Sequence, residues 1–309
     1  MKSIFIYLMI GILLIGGLVY SNSPDISEIS EELYEKAMGL EDIMANQIWN
    51  GFKISEYPLA MRKGDNEYVF YNGDITKRKA ALEVYACTAL KVDGEINIFM
   101  LQFEDMDSIM SPTGISTDSS NENHYIATIF HEGFHAYQWE YSNVFENVNF
   151  ELYDEINSIF AKIDNDESIK TMYENEMKIL YNGINEIDKS KKEELVKAYI
   201  AEREKRNEVL KEKLDFNELE TLKSAENLYE LIEGTAHYME IKTIEVLNDK
   251  DRYEKLIDSL NRYHRNNVKY YKSGMGISLL LDELDDNWKD SVFKDDKPLF
   301  EKLNDAIGR

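Results

Sequence analysis

The sequence predicts a helix-rich α+β protein, and three observations carry that prediction. Only four of the 309 residues are proline, while Glu, Lys, Leu and Ile abound, a composition that favours helices. Apolar residues recur at three- and four-residue intervals toward both ends of the chain, which is the period of an amphipathic helix. Between those stretches, over residues 59–103, lie short β-branched and aromatic runs punctuated by Asn-Gly and Asp-Gly, the pattern of hairpins. The expected arrangement is a small sheet supporting one buried helix, followed by a mostly helical lobe.

The chain opens on a targeting segment. After Lys2, Ile4 to Tyr20 is an uncharged run of seventeen residues followed by Ser21-Asn-Ser-Pro24. That length suits a secretion signal or a signal-anchor, and both stay open. No cysteine follows the run, so lipid attachment through cysteine is excluded at that point. Lys2 before it and acids after it place the body of the protein outside the membrane, extracellular or on the outer face. Residues 1–23 are therefore set apart from a first lobe over 24–145 and a helical second lobe over 146–309.

Ile26, Ile29, Leu33, Ala37, Leu40 and Met44 mark the first helix, with Asp25 or Ser27 as cap. The aromatic stretch Trp49 to Pro58 breaks that pattern. Strands are expected at Leu59–Met61, Glu67–Tyr71 and Glu95–Phe103, with hairpin turns at Asn72-Gly73 and Asp93-Gly94. Alternation of Ile96, Ile98 and Met100 with Asn97, Phe99 and Leu101 describes a strand buried on both faces. Asp105 to Asn123 is polar and suits a surface loop ending in a helix cap near Asn121 or Asn123. Beyond Tyr141 two charged helices follow, broken near Asp188-Lys-Ser190. Their alternating charges predict an exposed helical hairpin. A further helix is expected from Tyr253 to Tyr271, and another from Ile277 to Leu284.

With 59 acidic against 35 basic residues the formal net charge is -24. Such a balance argues against nucleic acid as the partner class, because phosphates require clustered Lys and Arg. It equally argues against electrostatic docking on anionic lipid, leaving the apolar leader as the sole expected membrane contact. The single cysteine, Cys87, has no partner for an internal disulfide and suits a small buried residue.

Chemistry concentrates in two stretches. In Tyr125-Ile-Ala-Thr-Ile-Phe-His-Glu-Gly-Phe-His-Ala-Tyr-Gln-Trp139 the apolar surroundings predict a buried helix. His131 and His135, four residues apart, then share one face. Glu132 lies off that face, where it reaches a metal-bound water rather than the metal. This is the spacing of a His-Glu-x-x-His zinc site with Glu132 as general base. Burying two imidazoles and a carboxylate in an apolar helix is costly without such partners. His124, seven residues before His131, shares its face and is expected as a solvated capping-region histidine. The second stretch is Glu226 to Glu240, in which Glu230, Glu233 and His237 fall on one helix face and Gly234 and Ala236 permit close approach of another helix.

Glu233-Gly-Thr-Ala-His-Tyr238, taken with His131-Glu-Gly-Phe-His135, resembles the paired elements of gluzincin metallopeptidases. The resemblance covers about thirty residues and implies a zincin-like fold, a bound Zn2+ and cleavage of a peptide or protein substrate. It implies His131, His135 and Glu233 as zinc ligands. His237 stands where family members often carry an acid; it is either a partner of the site or a ligand in place of Glu233. Glu230 is expected on the helix surface or as a hydrogen-bond partner. Gluzincins also supply a Tyr or His to steady the oxyanion, for which Tyr271 leads and Tyr270 and His264 follow. The alternative is a cell-surface binding module with a structural zinc, or a peptidase-like site that has lost turnover.

Overall fold

The computed structural model describes residues 26–110, 121–142, 153–295 and 297–308. The leader and the middle of the expected loop before the metal helix lie outside them. The chain is helix-rich α+β with a mixed five-stranded sheet. It forms two compact units. The first comprises the residues up to Ser142 together with Met239–Asp249, and the second Asn143–Tyr238 with Lys250–Arg309. The late return of Met239–Asp249 is not visible in a lobe boundary drawn at 145.

In the first unit, α1 (Glu28–Ile43) is capped by Ser27, whose side chain accepts from the Ser30 N–H. It ends in a π turn, Met44–Ile48. Five strands follow: β1 (Leu59–Lys63), β2 (Asn66–Tyr71), β3 (Asp74–Lys79), β4 (Thr88–Val92) and β5 (Glu95–Leu101). Their order is β3-β2-β1-β5-β4. Only β1 and β5 pair in parallel; the other neighbours are antiparallel. The two predicted turns hold, because Asn72, Gly73, Asp93 and Gly94 all take positive φ, as a type I′ turn requires. Sequence periodicity misses two strands. β3 is exposed along its whole length and offers no apolar alternation, and β4 begins in an alanine-rich run. The expected loop from Asp105 also begins instead as helix, α2 (Phe103–Met110).

Helix α3 (Glu122–Tyr141) starts at Asn121, whose side chain accepts from the N–H groups of Asn123 and His124. It is fastened to the sheet at both ends. The Tyr125 hydroxyl donates to Leu101 O at 2.7 Å, and Trp139 Nε1 donates to Ala89 O at 3.0 Å. Gly133 is required midway, since a Cβ there would meet Ile54 Cγ2 at 2.6 Å. Phe134 packs edge-on against Trp49 and Phe52. The stretch Trp49–Pro58, aromatic and irregular, thus packs under α3.

The second unit is helical: α4 (Tyr153–Asp164), α5 (Glu167–Asn185), α6 (Lys189–Lys213), then α7 (Phe216–Val246), whose last turns belong to the first unit. There follow α8 (Lys250–Asp258), α9 (Val268–Leu284), α10 (Trp288–Ser291) and α11 (Leu299–Ala306). The helix expected from Tyr253 to Tyr271 is interrupted, with extended backbone at Arg262 and positive φ at Asn266. Conversely, Gly274 and Gly276 do not break α9. They permit contact: a Cβ on Gly274 would lie 2.3 Å from Glu230 O, and one on Gly234 would lie 2.5 Å from Gly274 Cα. Backbones of α7 and α9 therefore touch at the turn that carries Glu233.

The charged helices α5 and α6 are not merely an exposed hairpin. Arg203 and Arg206 are buried. Arg203 grips Glu230 with two hydrogen bonds of 2.7 and 3.0 Å. Arg206 bonds both Glu176 and Glu226, at 2.6 and 2.7 Å for the shortest contacts, and donates to the Tyr173 hydroxyl. Burial alone would raise the Glu226 carboxyl, but Arg203 and Arg206 outweigh it and hold it below its ordinary value. Glu230, buried more completely by its surroundings than its partners offset, is raised. Removing one member of such a network strands its partners without water. Arg206→Met is expected to cost about 3–5 kcal/mol of unfolding free energy in a urea titration. Replacing Arg206, Glu176 and Glu226 together by apolar residues should recover most of that loss.

Candidate metal centre

Local helix geometry sets the first half of the site. His131 and His135 stand on one face of α3, and their Nε2 atoms face each other at 3.2 Å. Each ring turns its other nitrogen toward an acceptor. His135 Nδ1 is 2.7 Å from Gln138 Oε1, and His131 Nδ1 is 3.8 Å from the Glu240 carboxylate. An Nδ1–H donated by His135 to Gln138 leaves the His135 Nε2 lone pair pointing at His131 Nε2. Two facing lone pairs repel unless a proton or a cation lies between them. Two nitrogens about 2.0–2.1 Å from one zinc ion in tetrahedral geometry stand a little over 3 Å apart, which is the spacing here.

Helix α7 supplies the carboxylates. It bears a stripe of ionisable groups at Glu226, Glu230, Glu233, His237 and Glu240, repeating at intervals of four and three residues. Arginines neutralise the first two. Glu233 is buried, and burial pushes its carboxyl up to about 8. A neighbouring cation reverses that preference by favouring the ionised form. One ligand atom from each of His131, His135 and Glu233 lies within 4.8 Å of the others. The same holds for His131, His237 and Glu240. The three ligands expected from the sequence are thus brought together, and they form the donor set that zinc takes in open sites, two imidazoles and a carboxylate. His237, one turn beyond Glu233, lies within reach of His131 as well, so both roles weighed for it are sterically accessible.

Glu230 is neither surface nor ligand. It is completely buried, bound by Arg203 and by the Ser273 hydroxyl at 2.6 Å. His124 is not a solvated capping histidine either. Its ring is largely covered, and Nδ1 stands 3.7 Å from the second Glu240 oxygen. Glu240 therefore sits between two histidines of α3. Neither Glu240 nor Gln138 was singled out from the sequence. The usable signals were local: Gln138 lies three residues past His135, and Glu240 continues the stripe seven residues past Glu233.

Glu132 is buried beside these ligands on α3. The Cys87 thiol, whose Sγ contacts Met106 Sδ, is pushed up to about 12, chiefly by burial and next by the Glu132 carboxylate. A thiol so strongly protonated is a packing group rather than a nucleophile. Of the oxyanion candidates, Tyr270 is committed to the Tyr173 hydroxyl at 2.9 Å, and His264 to Ser259 O at 2.8 Å. Tyr271 packs its ring 5.9 Å from His237 and accepts from Asn267 Nδ2 at 2.6 Å.

Outer partners of a ligating histidine fix its tautomer and orientation. If the centre holds zinc, Gln138→Leu is accordingly expected to weaken its binding by about 10–100-fold in a chelator competition, with the circular-dichroism spectrum unchanged. His135→Ala should abolish stoichiometric zinc altogether. The chain matches no family model, no curated protein and no solved structure.

Proposed function

We propose that the protein is a zinc-dependent hydrolase of the gluzincin type that cleaves peptide bonds, with His131, His135 and Glu233 holding the metal. The single observation that carries this reading is the convergence of two imidazole Nε2 atoms, 3.2 Å apart, with a buried carboxylate from a helix ninety-eight positions later in the sequence. A zincin-like fold is part of the same proposal, supported by a metal helix lying on a small sheet.

When bound, zinc would polarise the scissile carbonyl and lower the pKa of water from 15.7 toward about 7. The remaining chemistry falls to the chain. Glu132, adjacent to His131 on α3, accepts the proton of the attacking water and returns one to the leaving amine. Gln138 keeps the His135 imidazole in the tautomer that presents Nε2, and the Glu240 carboxylate faces His131 Nδ1. The Tyr271 hydroxyl, next to His237, is the donor proposed for the developing oxyanion. The edge strand β4, joined to α3 through Trp139, offers backbone groups on which an extended peptide can pair. The apolar leader supports action outside the membrane, as a secreted or signal-anchored protein.

A structural zinc in a binding module is the competing reading. A closed shell of four protein ligands would favour it, and an open position occupied by solvent would favour the hydrolase. Digestion of a peptide library by the full-length protein, with and without chelator and read by mass spectrometry, tests the proposal. Cleavage that disappears with chelator and returns with zinc is expected. Glu132→Gln should retain zinc and lose hydrolysis by at least about a hundredfold; undiminished turnover in that variant would exclude Glu132 as the base.

A further inference from the structure

The two edges of the five-stranded sheet differ. At one edge the first three residues of β4 are buried, and Ala89 O accepts from Trp139 of α3. At the other, all six residues of β3 are exposed. The hairpin register fixes which backbone groups β3 has left over. Ala80 N–H bonds Asp65 O across the β2–β3 pair at 3.0 Å. Antiparallel pairs exchange hydrogen bonds at every second position, so residues 74, 76 and 78 turn their backbone groups toward β2. The N–H and C=O groups of Ile75, Lys77 and Lys79 therefore point outward along the edge.

Side chains alternate in the same way. Ile75, Lys77 and Lys79 share one face, and their register partners on β2 are Phe70, Tyr68 and Asn66. Lys77 Nζ lies 5.1 Å from the centre of the Tyr68 ring, and Ile75 keeps 45% of its surface in solvent. Glu67 and Asp74, the acids of the two strands, fall on the opposite face, where Arg78 binds Glu67. In a chain with a formal net charge of -24, this edge presents two cations and an apolar residue beside a row of outward backbone groups. A second copy fits it poorly. Antiparallel pairing of two β3 strands about their centre would set Lys77 against Lys77, and like charges directly opposite are destabilising.

We propose that β3 is a docking strand for an extended acidic segment of a partner protein, added antiparallel to the sheet with carboxylates opposite Lys77 and Lys79 and an apolar residue opposite Ile75. Such a guest reads Glu-x-Glu-x-apolar from its N-terminus. Its main chain exchanges hydrogen bonds with Ile75, Lys77 and Lys79, and its alternate side chains supply the selectivity. The requirement for backbone donors and acceptors at strand spacing favours a polypeptide over other polyanions. Negative charge elsewhere on the protein is screened beyond about 8–10 Å at ordinary ionic strength. The whole surface belongs to the first unit and requires neither a metal nor hydrolysis.

The test measures fluorescence polarisation of labelled peptides with the full-length protein. The first peptide carries the core Glu-Thr-Glu-Thr-Val, and a second carries Lys in place of both Glu. Two more carry one N-methyl group each, on the second Glu, whose N–H would face Lys77, or on the Thr after it, whose N–H would face away. The acidic peptide should bind and its Lys counterpart should bind at least about tenfold more weakly. Methylation of the Glu nitrogen should weaken binding by about tenfold, and methylation of the Thr nitrogen should leave it nearly unchanged. Lys77→Glu with Lys79→Glu, both at exposed positions, should reverse the preference between the acidic and basic peptides. Absence of saturable binding, equal effects of the two methyl groups, or an acidic preference that survives the double substitution overturns the inference. A dimer in sedimentation that the acidic peptide dissociates would assign the edge to a second copy and overturn it as well.

Discussion

Burial of a line of ionisable side chains along α7 is the constraint on which the rest of the molecule depends. Five such groups follow one another along the helix, and a carboxylate removed from water is tolerable only beside a compensating charge or donor. The helix meets that requirement in two ways. Its earlier part is answered by guanidinium groups on α6, which hold Glu226 and Glu230 with two hydrogen bonds each. Its later part is answered by the imidazoles of α3 and, in the proposed function, by a metal ion. Arginine serves the structural half because its charge is permanent and its fork is planar. Histidine serves the chemical half because a neutral ring can donate from one nitrogen and ligate from the other.

The packing around this line is correspondingly exact in its choice of small residues. Gly234 and Gly274 allow two backbones to touch where Glu233 emerges, and Gly133 admits Ile54 beneath the imidazole pair. Each glycine lies inside a helix, where it is intrinsically unfavourable by up to about 1 kcal/mol relative to alanine. In each case close approach outweighs propensity. The ligands proposed for a metal are thereby carried on long, well-packed helices instead of loops, which limits how far they can drift.

What the sequence made legible follows from the range of the interactions involved. The shared face of His131 and His135 is set by spacing within one helix, so local periodicity made that placement legible. Type I′ turns at Asn72-Gly73 and Asp93-Gly94 were equally local. Glu233 could be assigned only through resemblance to a known paired motif, because nothing in residue spacing ties it to His135. Arg203 and Arg206 misled for a physical reason: a stretch of alternating charges looks the same whether water or buried carboxylates answer it. The β3 strand lacks any apolar face, so its pairing with β2 could not be inferred from hydropathy. Between Arg262 and Asn267 the helical period continues on paper, while the Tyr263 hydroxyl and the Asn266 N–H both bond the Asp164 carboxylate and the backbone leaves the helix.

The continuity of α7 across both units has a consequence for anyone wishing to divide the protein. A cut at Tyr238 would pass through the middle of a hydrogen-bonded helix and leave four carbonyls and four amides newly exposed at the break. It would also part Glu233 from Glu240: the piece ending at Tyr238 would keep His131, His135 and the proposed third ligand, and the piece beyond it would carry off Glu240, whose carboxylate faces His131. Limited digestion or domain-by-domain expression therefore separates groups that α7 carries in one line.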